Sequence, residues 1–588
     1  MVRLERFYNL KIISQIHNIE SNKTRLTSKM EKKAELLQNK APLEAFMVVE
    51  DSNSKDSKQY QVSQKKKVFV GRESELSQLI NLFGENTGIA ICAIVGGAGL
   101  GKSQLATEYI IKNQKEMYSE TVWLHAEQSD LIVDQIQIYL ETCHKMKFGP
   151  QDRNKKATIV HSLYQTLGKE DDDTNPNKDR KKACIVFNNA DSMAQIADYV
   201  PDKTRFLKLL IDVIITSRYK KWENPVDLVI ELQAFRLEDV KKYIRACIPN
   251  VETNQNIDQL AKDLNDLIGG LPLALSLSVA YIQQKEMSIS EFCEIISKEN
   301  NKEFIPQKDS KIESKLVKDE KDLSINLVST IVTLALADLR LKYYHVEPIL
   351  DILAYLSPDD ISTNLLAECW SYCQSKTSPV DSRRKKLTER LPESIPNQVT
   401  NESNELVRVE NSHECKDSMS MVEDFRKALK LLFSYSLITA NSVQNTAKEN
   451  EDTTEECMND TKITIHRLIQ QVIRLNHCNS NCYERNYNNV FEWIVAKLDY
   501  NEKDLKDVKR ASLLIPYAIH LENLQNTFND LKMAILQEKI GYHQLYGVGK
   551  YDVALKYFEK ALVIKENHYG KEHLETGITL TNLGNAWR

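Results

Sequence analysis

Glycine and proline are scarce in this chain, with 17 and 14 among 588 residues. That excludes collagen-like and low-complexity architectures and suits a helix-rich protein. No run of 18 apolar residues occurs, so no membrane span is expected. Positive charge is not in excess either. Lys and Arg number 78 against 83 Asp and Glu, a formal net charge of −5. Nucleic-acid binding therefore has no electrostatic support at the level of the whole chain. The 11 cysteines are an odd number and scattered, and Cys92, Cys184 and Cys247 sit in apolar runs. This speaks for reduced thiols rather than a disulfide framework. Cys369-x3-Cys373 and Cys478-x3-Cys482 lack a second pair at structural-zinc spacing. The stretch Met1-Val-Arg-Leu-Glu-Arg-Phe-Tyr-Asn9 has no apolar core or small-residue cleavage site. The expected location is the cytoplasm.

The remainder is ordinary for a globular protein, 27% charged and 42% hydrophobic. A chain of this length holds about three to five domains. Its most informative segment is Gly96-x4-Gly101-Lys102-Ser103. The apolar run Ile89–Val95 precedes it and the helix-like Gln104–Ile111 follows. That is the strand, glycine loop and helix order of a phosphate-binding loop. Gly96, Gly97, Gly99 and Gly101 let backbone N–H groups converge on phosphate oxygens. The helix start around Lys102, Ser103 and Gln104 adds partial positive charge, and Lys102 adds a full one. The Ser103 hydroxyl is the candidate Mg²⁺ ligand. The expected cofactors are ATP or ADP with Mg²⁺.

Phosphoryl chemistry needs an acid at the end of a second strand. The best candidate is Cys184-Ile-Val-Phe-Asn-Asn-Ala-Asp191. Asn188 stands where the first carboxylate is expected, and Asp191 is the nearest acid. An amide lacks the charge that holds Mg²⁺ and activates water, so hydrolysis is expected to be slow. Arg218, closing Ile214-Ile-Thr-Ser-Arg218, is placed to sense a γ-phosphate. Lys102, Asn188, Asp191 and Arg218 are the candidate catalytic set.

Residues 1–67 read as a polar N-terminal region with helices near 4–19 and 29–37 and a solvated linker over 51–67. Residues 68–235 alternate apolar runs with amphipathic stretches. Strands are expected at 89–95, 121–125, 183–187, 213–216 and 228–232, in a parallel sheet covered on both faces. Residues 169–180 read as a surface insertion. Residues 236–322 read as a helical domain ending in a charged linker. Residues 323–478 hold helices, a turn at Ser357-Pro-Asp-Asp360 and a hairpin from 433–440 and 462–466, a winged-helix pattern. Residues 377–417 within them read as a disordered insertion. Residues 479–588 read as helical hairpins. There Tyr551-x2-Ala554-x3-Phe558-x2-Ala561 has tetratricopeptide spacing, and Asn582-Leu-Gly-Asn-Ala586 begins another copy, so the array looks cut short.

Taken together these residues resemble the NB-ARC branch of the STAND signalling ATPases. Val70-Gly71-Arg72-Glu73 is similar to the motif before the first helix, near the adenine. Gly96–Ser103 resembles the family's phosphate loop and Thr216-Ser217-Arg218 its sensor strand. Gly270-Leu-Pro-Leu-Ala274 resembles the helical-domain motif whose proline, here Pro272, packs by the adenine. Ile465-His466-Arg467-Leu468 resembles the winged-helix histidine motif, whose His contacts the β-phosphate of ADP. Arg467 stands where many members have Asp. The C-terminal part, with Tyr569-Gly-x2-His573, resembles kinesin light chain-like repeats.

The resemblance implies an α/β phosphate-loop NTPase domain followed by a helical domain, a winged-helix domain and an all-α tetratricopeptide superhelix. Val70, Gly71, Arg72, Gly96, Gly97, Gly99, Gly101, Lys102, Ser103, Gln104, Arg218, Pro272 and His466 would bind the nucleotide. It further implies a signalling switch with ADP and ATP states, protein partners on the repeats and a homo-oligomer in the ATP state. An AAA-type ATPase working by turnover, and a repeat scaffold with a structural nucleotide, are the alternatives.

Overall fold

The computed structural model describes residues 58–61, 68–86, 88–148, 156–168, 181–206, 209–248, 257–300, 323–376, 418–441, 461–501, 504–524 and 530–587. The expected N-terminal helices, the insertions at 169–180 and 377–417 and the linker at 302–322 lie outside them. All contacts below fall within one unit, residues 53–395 and 425–588.

Six strands form the main sheet: β1 (Lys58–Tyr60), β2 (Ile89–Val95), β3 (Tyr118–His125), β4 (Lys182–Asn188), β5 (Ile211–Ser217) and β6 (Leu228–Glu231). Their order is β1-β3-β4-β5-β2-β6, and every pairing is parallel. A parallel sheet needs both faces covered, and β2 shows how the sequence meets that need. Ile89, Ile91, Ala93 and Val95 point into one core with Ile132, Ile136, Ile159 and Leu163. Ala90, Cys92 and Ile94 point into the other with Leu79, Phe83, Leu105 and Tyr109. Helices Ser129–Cys143 and Lys156–Leu167 cover the first face; Glu73–Glu85 and Lys102–Met117 cover the second.

β1 departs from the expected solvated linker. Tyr60 supplies the reason: its ring packs on Tyr139 with centroids 5.3 Å apart, so three residues dock as an edge strand beside β3.

Four helices follow: Leu237–Cys247, Ile257–Ile268, Pro272–Lys285 and Ile289–Asn300. Helices Leu323–Lys342 and Val346–Leu353 lead to a small antiparallel sheet of order β7-β9-β8. Its strands are β7 (Ile361–Ser362), β8 (Ile438–Asn441) and β9 (Lys462–Ile465). The stretch 433–440 was expected to be strand throughout, but helix continues to Ser434 and the strand begins at Ile438. Two-residue β7 was not foreseen. It forms where the turn after Pro358 brings Ile361 opposite Ile463.

The C-terminal helices are Arg467–Asn479, Tyr483–Lys497, Leu505–Leu524, Asp530–Tyr542, Tyr551–Tyr569 and Leu574–Trp587. Small residues set their approach: Ala554 and Ala586 pack with Phe558 and Leu545. A π-helical turn, His543–Val548, joins two of them. Its His543 is fully buried between the Tyr500 hydroxyl (2.5 Å) and Ser512 Oγ (3.0 Å). Burial pushes its pKa down to about 4 from the ordinary 6.5.

The unfolded chain therefore takes up a proton near pH 6.5 that the folded chain refuses until about pH 4. Stability falls as pH drops through that window. Urea titrations at pH 7 and pH 5 should show the parent losing about 2 kcal/mol more than His543→Asn. Equal losses would show that His543 carries no acid sensitivity.

Candidate functional site

The site lies at the carboxyl ends of β2, β4 and β5, where a doubly wound sheet places its ligand crevice. The loop after β2 ends in Gly101, the N-cap of helix Lys102–Met117. No side chain caps this helix start and no acid lies in its first turn. Its leading N–H groups and the positive end of its dipole are open to an anion. Gly99 needs its freedom: at φ 77° it takes a left-handed turn, and a β-carbon there would sit 3.1 Å from Leu273 Cβ.

Lys102 is 7% exposed, and its Nζ donates to the carbonyls of Gly96 (2.9 Å) and Gly97 (2.7 Å). Burial lowers its pKa to about 8, and the charges of Arg218 and Arg467 push the same way. Positive charge is thus concentrated around the loop, as polyphosphate binding requires.

Asn188 is buried at the end of β4, and its Oδ1 accepts from Ser103 Oγ (2.7 Å) and Thr216 Oγ1 (2.8 Å). The amide thus stands against the loop serine, in the place expected for a carboxylate. Asp191 is exposed; burial of its surroundings raises its pKa first, then Glu127 does. Arg218 follows β5, exposed, and makes no hydrogen bond among the described residues. Gln104 is half-buried in the first helical turn.

The adenine-side candidates close a ring of backbone contacts. Arg72 Nη2 donates to the carbonyls of Gln233 (2.6 Å) and Leu100 (3.3 Å), and its guanidinium lies 5.0 Å from the Phe235 ring. Gly71 lies against Asp239, and Val70 is half-buried beside it in sequence. Pro272 opens helix Pro272–Lys285 at its first position, where no N–H is needed. Leu273 N then donates to Gly99 O at 3.2 Å, tying this helix to the loop.

His466 caps helix Arg467–Asn479, its Nδ1 accepting from Leu468 N at 3.1 Å. The neighbouring Arg467 makes the contact across to the main sheet. It donates through Nε and Nη2 to Glu127 (3.1 and 2.8 Å) and through Nη2 to Asp359 (2.7 Å). With the Asn189 amide oriented to satisfy both its ends, that oxygen accepts from Nη1 (2.7 Å). His125, ending β3, contacts Asp359 (3.4 Å) and Asp360 (3.2 Å).

Sequence reasoning missed Glu127, His125, Asn189, Asp359 and Asp360 as members of this cluster. Ser357-Pro-Asp-Asp360 read as a turn, and no spacing rule links Asp359 to a residue 108 positions away. One signal was present: Arg467 directly follows the His466 singled out in the sequence, and a buried arginine needs acids to face it.

No protein-family model matches the chain, and no curated protein matches its sequence. Solved structures do resemble it. One is a STAND protein with a tetratricopeptide repeat sensor from Pyrococcus horikoshii, 12% identical with a TM-score of 0.41. That match covers 90% of this chain and 66% of the other, so this chain spans just under two thirds of its length. Another is Cdc6p from Pyrobaculum aerophilum, 14% identical, TM-score 0.29, covering 70% of this chain and 97% of that one. A third is Drosophila ORC bound to DNA, 13% identical, TM-score 0.24, covering 71% and 96%. Each is a likeness at low identity, and none assigns this chain an activity.

Arg467→Gln takes the Arg467 ion pair from Glu127 and leaves Asp359 with His125 as its cationic neighbour. Glu127 is 39% exposed, so the loss lies between surface and buried pairs, about 2 kcal/mol in urea unfolding. Adding Asp359→Asn should recover part of it. Parent-like stability in Arg467→Gln would show that the contact is not structural.

The cluster also sets a pH dependence. Burial alone would lower the His125 pKa, but Asp359 and Asp360 outweigh it and raise it to about 10. The stabilisation is complete below the unfolded value of 6.5 and is lost as pH rises through about 10. The melting temperature should therefore fall more steeply from pH 7 to pH 10 in the parent than in His125→Gln. Parallel profiles would remove His125 from this account.

Proposed function

We propose that this chain is a STAND-type nucleotide switch that binds ADP or ATP at the Gly96–Ser103 loop and hydrolyses ATP slowly. In this reading residues 68–235 form the NB-ARC nucleotide domain, 236–322 the helical domain with its linker and 323–478 a winged-helix module. Residues 479–588 form a tetratricopeptide region that meets protein partners. The protein works in the cytoplasm and forms a homo-oligomer in the ATP state.

The donor chemistry fits a polyphosphate. The helix start is uncapped, Lys102 lies in the loop and Arg218 stands at the rim. Lys102 and the loop amides would hold the α- and β-phosphates, and Arg218 would respond to the γ-phosphate. Arg72 and Pro272 would frame the adenine. His466 would meet the β-phosphate only while its module lies over the site. A ligand that touches different modules in two states shifts their populations by its differential affinity.

The observation that carries the switch reading is the Arg467 contact. A residue of the 323–478 module lies against Glu127 and Asn189, beside the phosphate loop. The neutral Asn188 favours a switch over an enzyme working by turnover, because it lacks the carboxylate that activates water.

The test is mass spectrometry of the co-purified nucleotide together with the particle mass in ADP and in ATP. The expected result is a bound ADP in a monomer and a larger particle in ATP. Lys102→Ala should lose about tenfold or more in nucleotide affinity. His466→Ala should release ADP faster and shift the protein towards oligomers. Sustained ATP turnover that Lys102→Ala abolishes would favour a motor. A nucleotide retained permanently, with no change in mass, would favour a scaffold.

A further inference from the structure

The fold family implies Mg²⁺ beside the loop serine, and the groups present there fit it poorly. Mg²⁺ is held in such sites by one or two carboxylates, several waters and the phosphates. Among the described residues no carboxylate hydrogen-bonds Ser103 or Asn188. The amide that replaces the acid is also fully used. A carbonyl oxygen has two lone pairs, and Asn188 Oδ1 accepts from both Ser103 Oγ (2.7 Å) and Thr216 Oγ1 (2.8 Å). Neither lone pair remains for a metal-bound water. The other end of that amide is an NH2, which repels a cation.

The next amide is also engaged. Asn189 oxygen accepts from Arg467 Nη1 (2.7 Å), and its backbone N–H donates to Thr216 Oγ1 (2.9 Å). Glu127 and Asp359 are held by Arg467. Asp191 remains at the rim, where desolvation first and then Glu127 raise its pKa against the opposing pull of Arg218 and Arg467. Positive groups meanwhile converge: Lys102 within the loop, the uncapped helix start, and Arg218 close enough to act on Lys102.

We propose that this site binds its nucleoside di- or triphosphate as the free anion, with Lys102, the loop amides and Arg218 supplying the countercharge, and that Mg²⁺ adds little to its affinity. The proposal rests on the nucleotide-binding reading above and narrows it. It makes Asn188 a specificity-determining residue for the metal state of the ligand. A carboxylate at 188 would bring two oxygens and about four acceptor positions, enough to keep Ser103 and Thr216 and still take a metal-bound water.

The test is calorimetric titration of the full chain, stripped of nucleotide, with ADP and with ATP, once in excess Mg²⁺ and once in EDTA. Dissociation constants in the two buffers should agree within about threefold, whereas Asn188→Asp should bind about tenfold tighter in Mg²⁺. A parent protein that weakens by about tenfold or more in EDTA overturns the proposal. If Asp191→Asn abolished such a preference, the metal would be assigned to Asp191. Binding in neither buffer would overturn the nucleotide-binding reading itself, a result distinct from binding in Mg²⁺ alone. The comparison of buffers on the parent decides the matter even if Asn188→Asp fails to fold.

Discussion

The guanidinium of Arg467 joins three separate segments of the chain beside the site. Its planar fork meets Glu127 after β3, the Asn189 amide after β4 and Asp359 in the turn before β7. His125 then balances Asp359 and Asp360 from the other side. Burial opposes every charge in this cluster, yet Arg467 and His125 hold the Asp359 carboxyl well below the usual carboxylate range. Such a set is stable only when complete, because losing one partner strands a buried charge. An interface of this kind is a discrete contact, made or broken as a unit, which is what a two-state element needs.

The same constraint reaches the C-terminal helices. His520, on helix Leu505–Leu524, lies close enough to feel Arg474, Glu127 and Arg467, and burial first, then Arg474, pushes its pKa down to about 4. Lys550, 4% exposed, meets Asp134 on helix Ser129–Cys143 of the main sheet. Two separate points on the helical region therefore adjoin residues of the main-sheet domain, Asp134 through Lys550 and Glu127 through His520.

Local features were legible in the sequence. The five expected main-sheet strands appear within a few residues of their apolar runs, because a buried parallel strand must be apolar on both faces. The loop was legible because its glycines, lysine and serine are contiguous. Asn188 was legible as a departure, but its double acceptance from Ser103 and Thr216 was not, since 85 and 28 residues separate the partners. β1 escaped notice because three residues beside one buried tyrosine carry no periodicity. Asp359 and Asp360 looked like turn residues because charge pairing over long separations leaves no local mark.

The arginine at 467 ties these strands together. A charge inside an interface is stable only against a face of opposite sign. In this chain the opposite face offers Glu127 and Asp359, and two consecutive asparagines occupy positions 188 and 189. An acid at 189 would compete with Glu127 and Asp359 for Arg467. The neutral Asn189 amide avoids that competition and adds an acceptor to the fork. The charges of this cluster therefore sit on Arg467, Glu127 and Asp359, while positions 188 and 189 beside the loop carry neutral amides.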